Sequence, residues 1–291
     1  MDSIKHNTFA KLKQNRNILL FPIVVVCFLF LSCASLYGQK RSQAKLLNKA
    51  YKNQSEQMLF SFFDNWSKEI SSNENDAPDQ WVAEAHKVYT AFYQPFLLKK
   101  DAHDYPNFFG EELYQGNPYF IVQSSLWRIL VTEKIPYTPD ELDRFYWKYG
   151  HTFWISNSTK LVYTDIAFRP PVQFPDKKIV YLTPKYKKLL DKFLGDNHRE
   201  LGKHNIMQPA TSEEQSRSKM EFIRKAAHIF YGHWGGYWQY ETYPEANMMV
   251  LDSEMHRAVV YFRFVYEGGF VILEKTNDEW TIVTIRYNWI E

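Results

Sequence analysis

From His228 to Glu245 the chain reads HIFYGHWGGYWQYETYPE, eighteen positions holding two histidines, a Gly-Gly pair, two acids and seven aromatic rings. Three kinds of chemistry suit such a set. The first is metal-assisted hydrolysis, because His228, His233, Glu241, Glu245 and His256 are all zinc-ligand types. A zinc site on a helix wants two histidines one turn apart. His228 and His233 are five apart with Gly232 between them, so they share no helical face, and neither a metal nor another cofactor is expected. The plainer roles are a cation at a helix C-terminus for His228 and a donor in a polar turn for His233.

The second is nucleophilic or acid–base catalysis. Ser156, Ser212 and Ser253 lack a G-x-S-x-G setting. Glu241 and Glu245 would face the same side of a continuous strand, but Pro244 interrupts the run. The third is ligand binding. Trp234, Tyr237, Trp238 and Tyr240, beside Gln239 and Glu241, make a flat amphipathic platform of the kind on which sugars and extended peptides stack. Gly235-Gly236 permits close approach of a backbone or ligand. Against this stands simple packing: aromatic residues make up 18% of the chain, so many rings must be core. Arg263 interrupts the apolar run AVVYFRFVY and needs a partner if buried. Glu241 or Glu245 would form a structural clamp with it; alternatively the same arginine holds a ligand carboxylate. Arg169, before Pro170-Pro171, raises the same question.

The elements that position these residues are legible in outline. Leu46 to Ile70 carries apolar residues at three- and four-residue steps, one helical face, and a second helix follows from Pro78 to Tyr93. Tyr119–Val131 has the composition of a strand or hairpin. Thr138-Pro-Asp-Glu141 is a capping box. Strands are expected at 160–168 and 178–182, then a helix capped by Thr183 and Pro184 and stopped by Gly195. Thr211-Ser-Glu-Glu214 starts a further helix. The remainder reads as strands at 247–251, 256–266, 270–275 and 280–290, joined in part by turns at Gly268-Gly269 and Thr276–Asp278.

Lys5, Lys11, Lys13 and Arg16 precede an apolar run, Ile18–Leu31, which is shorter than the roughly 20 residues of a membrane span. The leader reads as a signal peptide of residues 1–38, cut after Gly38, with lipid anchoring at Cys33 as the other exit and an uncleaved anchor, weakened by Pro22 inside the run, as the third option. The chain is therefore expected to be exported, to the periplasm or beyond. Both cysteines, Cys27 and Cys33, lie in the leader, so the mature chain has no disulfide. Four of the 35 Lys and Arg and one of the 33 Asp and Glu also lie there, leaving a mature net charge of −1. With no basic run behind the leader, nucleic acid is not an expected partner.

The C-terminal helix, the strands and the closing FVILEKTNDEWTIVTIRYNWI resemble the latter half of the NTF2-like (SnoaL-like) fold, in which a helix packs into a curved antiparallel sheet. Trp280 and Ile282 stand where that family's final hairpin places apolar residues. Arg169-Pro-Pro, Tyr181-Leu-Thr-Pro and GHWGGYW, with a cleavage site before Gln39, are similar to secreted Bacteroides-group proteins of unknown function. The expected fold is α+β: an N-terminal helical pair, a mixed middle region (39–195), a linker (196–214), and a C-terminal helix on a curved antiparallel sheet (215–291). The expected function is non-catalytic binding of a small molecule, glycan or peptide in an aromatic-lined groove near 231–245. Its contacts would be His233, Trp234, Tyr237, Trp238, Tyr240, Glu241 and Arg263. The alternatives are an NTF2-like cavity enzyme or metal-assisted hydrolase centred on His233 and Glu241, and a structural partner of envelope proteins.

Overall fold

The computed structural model describes residues 42–70, 79–95, 114–133, 135, 138, 140, 160–195, 213–231, 238–264 and 267–290. The leader, with its cleavage and anchoring sites, lies outside them, as do His233, Trp234, Tyr237, Ser156 and Ser212. The capping box is described only at Thr138 and Asp140.

The expected first helix is two: α1 (residues 42–52) and α2 (Glu56–Ile70). Gln54 adopts a left-handed angle, φ 48°, and the Ser55 hydroxyl accepts the Met58 N–H at 3.3 Å, starting the second helix as a cap. The apolar face continues across the break, since Leu47, Ala50, Leu59, Phe62, Phe63 and Trp66 are all fully buried. α3 (Gln80–Phe92) is capped by Asp79, whose side chain accepts the Trp81 N–H.

The middle region supplies β1 (Tyr119–Gln123), β2 (Ser125–Thr132), β3 (Lys160–Ala167), β4 (Lys178–Leu182) and α4 (Pro184–Leu194). Thr183 precedes α4 and Gly195 ends it with φ 98°, a conformation glycine adopts at low cost. Tyr119–Val131 is not a hairpin. The chain breaks at Ser124, leaving a parallel pairing of β1 with β4 for an antiparallel pairing of β2 with β3.

The C-terminal part contributes α5 (Glu213–Arg224), the short β5 (Phe230–Tyr231) and β6 (Trp238–Gln239), then β7 (Glu245–Asp252), β8 (Arg257–Phe264), β9 (Glu267–Thr276) and β10 (Glu279–Ile290). One six-stranded sheet runs β10-β9-β8-β7-β2-β3, antiparallel except between β2 and β7. Bulges in β10 and at the start of β7 bend it. The fold is α+β, and the sheet joins strands from both sides of the expected linker.

Two expectations change. The described helix lying across the sheet is α3, which meets β2, β7, β8, β9 and β10. Its Ala85, Val88, Tyr89 and Phe92 share a core with Val260, Phe262, Val271 and Leu273. α5 instead joins α1, α2, α4, β1 and β4 in a separate helical core, through Met220, Phe222 and Ile223. Secondly, Gly268 and Gly269 do not turn the chain; they lie inside β9, opposite Arg263 and Phe262 of β8. A Cβ on Gly269 would stand 1.7 Å from the Arg286 carbonyl oxygen, so close strand approach is what requires glycine here. The other hairpin is as expected, with Asn277 and Asp278 at φ 53° and 67°, the backbone of a type I′ turn.

Candidate functional site

The segment 238–245 is the seam between the two main cores. Trp238 and Tyr240 belong to the helical core, and Tyr243 and Ala246 to the core between α3 and the sheet. Thr242 is fixed on three sides. Its N–H donates to the Ile121 carbonyl at 2.7 Å and its hydroxyl accepts the Ile121 N–H at 3.0 Å. Its carbonyl accepts the Tyr93 hydroxyl at 3.0 Å. Segment 238–244 thus lies beside β1, and a cis Tyr243–Pro244 bond leads into β7. On the other side Gln123 holds β7 in place. Its Oε1 accepts the Ala246 N–H at 2.6 Å and the Tyr89 hydroxyl at 3.3 Å, while its Nε2 donates to the Ser125 and Ala246 carbonyls, each at 2.8 Å.

These anchors flank Glu241 and Glu245. Glu241 precedes β7, so the two acids do not share a strand face. They are neighbours nonetheless: each disfavours ionisation of the buried Tyr89 and Tyr243 phenols, on which burial acts first, and Glu241 raises the Glu245 carboxyl. Arg263 lies directly across from Glu245 in the β7–β8 register and draws the Glu245 carboxyl downward, against the larger effects of burial and Glu241. The net result pushes Glu245 up to about 8. Glu241 is also raised, by burial first, with its own and Tyr240's backbone N–H groups, Lys187 and Arg263 pulling the other way. Both side chains keep partial solvent exposure. The site is therefore a partly exposed cluster of two carboxyl groups and one guanidinium, in which burial and Glu241 hold the Glu245 carboxyl up to about 8.

Around it the aromatic rings are structural. Trp238 and Tyr240 are buried, which removes them as open stacking surfaces. The physical reason is that each ring also has an interior partner for its polar tip. The Trp238 indole donates to the Gly195 carbonyl at 3.2 Å, and the Tyr240 hydroxyl donates to Asp191 Oδ1 at 2.6 Å. Tyr243 is buried too, its hydroxyl donating to Gln239 Oε1 at 2.7 Å. Among the described rings of the stretch, Tyr231 is exposed, leaning on Trp238 at 4.8 Å.

The remaining candidates disperse. His228 does not end a helix as a cation. α5 stops at Arg224, and the imidazole sits between Tyr114 and Phe230. Burial first, and Arg224 second, lower it to about 4. His256 is exposed on the β7–β8 turn beside Glu254, and Ser253 is in the same turn. Arg169 lies beyond β3, its Nε buried without a hydrogen-bond partner among the described residues. Among the described residues no three His, Cys, Asp or Glu side chains converge on a common metal position.

Gln123, Thr242, Lys187 and Asp191 were not legible as site supports. Gln123 ends an otherwise apolar YFIV run, and Asp191 interrupts the apolar face of α4. A buried polar residue in an apolar pattern is the signal that marks both. The chain matches no family model, no curated protein and no solved structure.

Proposed function

We propose that this is an exported binding protein whose ligand is a glycan or other polyhydroxylated small molecule, held at the Glu241–Glu245–Arg263 recess. The observation that carries this reading is Glu245 set opposite Arg263 across the β7–β8 register, with burial and the Glu241 carboxyl both raising it. Such an arrangement opposes folding, since one carboxylate would be more stable in water. Groups perturbed in this way cluster at functional sites. A carboxylic acid beside a carboxylate and a guanidinium offers both donors and acceptors, matching paired sugar hydroxyls, each of which needs one of each. Tyr231 supplies an exposed ring on β5, against Trp238. His233, Trp234 and Tyr237, outside the described residues, belong to the proposal by sequence.

A second reading is favoured by one specific feature. A glutamic acid that keeps its proton near neutrality beside a second carboxyl group is the equipment of general acid–base catalysis. In that reading Glu245 is the acid and Glu241 its partner, in a cavity enzyme of NTF2-like type. Binding and turnover separate the two. Glu245→Gln preserves shape and one donor, so a binding protein keeps measurable affinity for its glycan, whereas an enzyme binds substrate and loses conversion. The test is a glycan-array screen followed by calorimetry on wild type, Glu241→Gln and Glu245→Gln. Unchanged affinity for a captured glycan in both variants would exclude the recess as its site.

A further inference from the structure

A second concave site lies far from the acids in sequence and in chemistry. α1 and α4 enclose a cavity of about 560 Å³, rimmed by Lys45, Lys49, Lys52 and Lys192 over an apolar floor that includes Leu189 and Phe193. All four lysines are exposed and both floor residues are buried. No carboxylate lines the cavity, and among the described residues none of the four lysines forms an ion pair. α1 carries no acid at all. The one acid of α4, Asp191, is engaged elsewhere, accepting from Tyr240 at 2.6 Å and pairing with Lys187 at 3.3 Å. On α2, Glu56 pairs with Lys225, Asp64 with Lys178 and Glu69 with Lys185. The cluster is built from two helices some 140 positions apart, which is why no basic run announces it.

Four cations held together without counter-charge repel one another and favour a multivalent anion. Location narrows the choice. α1 begins eleven positions after the apolar run Ile18–Leu31 ends, a tether of at most about 40 Å at roughly 3.6 Å per residue. Lipid anchoring at Cys33, two positions past that run, would keep these lysines within reach of the headgroup layer. We infer that the α1–α4 lysine groove is a docking surface for anionic phospholipid headgroups, which orients the domain on the membrane while the glutamate recess serves its own ligand.

The experiment is flotation of the protein, as processed by the cells that express it, with vesicles of phosphatidylcholine alone or with one-third phosphatidylglycerol. The expected result is preferential binding to the anionic vesicles, suppressed by high salt through screening. It should fall about tenfold or more in the Lys45→Gln/Lys49→Gln/Lys52→Gln/Lys192→Gln variant, as loss of four basic contacts to an anionic surface implies. The matching four-arginine variant should bind as wild type. All four sites are exposed, and melting curves check that both variants fold. Retention on neutral vesicles reports any N-terminal anchor, so the ratio of the two vesicle types is the readout. Equal partition onto both, or an unaltered ratio in the glutamine variant, overturns the inference. So does release by inorganic phosphate beyond that of sodium chloride at matched ionic strength, which would assign the groove to a free phosphate. Capture by a DNA duplex in preference to the vesicles would also overturn it.

Discussion

Glu245 combines three influences that a sequence does not rank: removal from water, the neighbouring Glu241 carboxyl, and the opposing Arg263. The first two prevail, so the folded protein holds a proton that the unfolded chain, titrating near about 4.3, releases. A carboxyl group raised on folding stabilises fully below its unfolded value, and that contribution is lost as pH rises through about 8. Wild-type melting temperature should therefore fall between roughly pH 4.3 and pH 8, relative to Glu245→Gln, and the gap should level off above that range. Parallel melting curves for the two proteins across the range would show that Glu245 is hydrated as in the unfolded chain. Tyr240 makes a separate residue-scale prediction. Its hydroxyl donates to the Asp191 carboxylate inside the helical core, so Tyr240→Phe should cost about 1.5–2 kcal/mol by chemical denaturation. A cost near zero would mean that the ring alone matters there.

At the scale of elements, α3 is fastened to the final hairpin through Glu84. Its carboxylate accepts the Trp280 indole N–H at 2.7 Å and pairs with Lys275 at 2.7 Å. Burial raises this carboxyl, but the hydrogen bonds from Lys275 and Trp280 together bring it below the ordinary range. Glu84→Ala should destabilise by about 2 kcal/mol, with the loss shrinking as pH falls through the native carboxyl value, because there the wild type loses the same ion pair. Gly269→Ala is a sharper case. The added carbon would collide with the Arg286 carbonyl, which the sheet can relieve only by parting β9 from β10, so a loss of about 3 kcal/mol is expected. Hydrogen exchange would show faster amide exchange confined to β9 and β10. The helices and most strands were readable because their signals are local: Thr183 and Pro184 open a helix, Gly195 stops it, and Asn277-Asp278 turns a hairpin. The choice of helix on the sheet was not, because α3 and α5 are both amphipathic and only tertiary contacts decide which of them meets the sheet. Gly268-Gly269 misled for a related reason, since glycine marks close approach as well as turns, and the neighbour that makes the difference is in another strand.

For the molecule as a whole, the aromatic stretch proves to be a seam. Trp238 and Tyr240 close one core and Tyr243 the other, and the acids are left at the join with partial access to water. Sequence pattern marked Glu241, Glu245 and Arg263 as a group to watch, because a charge among apolar neighbours must find a partner. It could not mark the anchors: Gln123 and Asp191 reach the site from positions far along the chain, and Thr242 acts through Ile121 and Tyr93, equally distant. The most direct measurement is thermal melting near neutral pH against a panel of glycans and amino sugars, in wild type and in the Glu241→Gln/Glu245→Gln double variant. A ligand that binds only the folded state adds about 2.7 kcal/mol at a hundredfold excess over its dissociation constant. A saturable rise in wild type that disappears in the folded double variant is the predicted result. A rise of equal size in both proteins would place the ligand elsewhere and contradict the glutamate recess as the binding site.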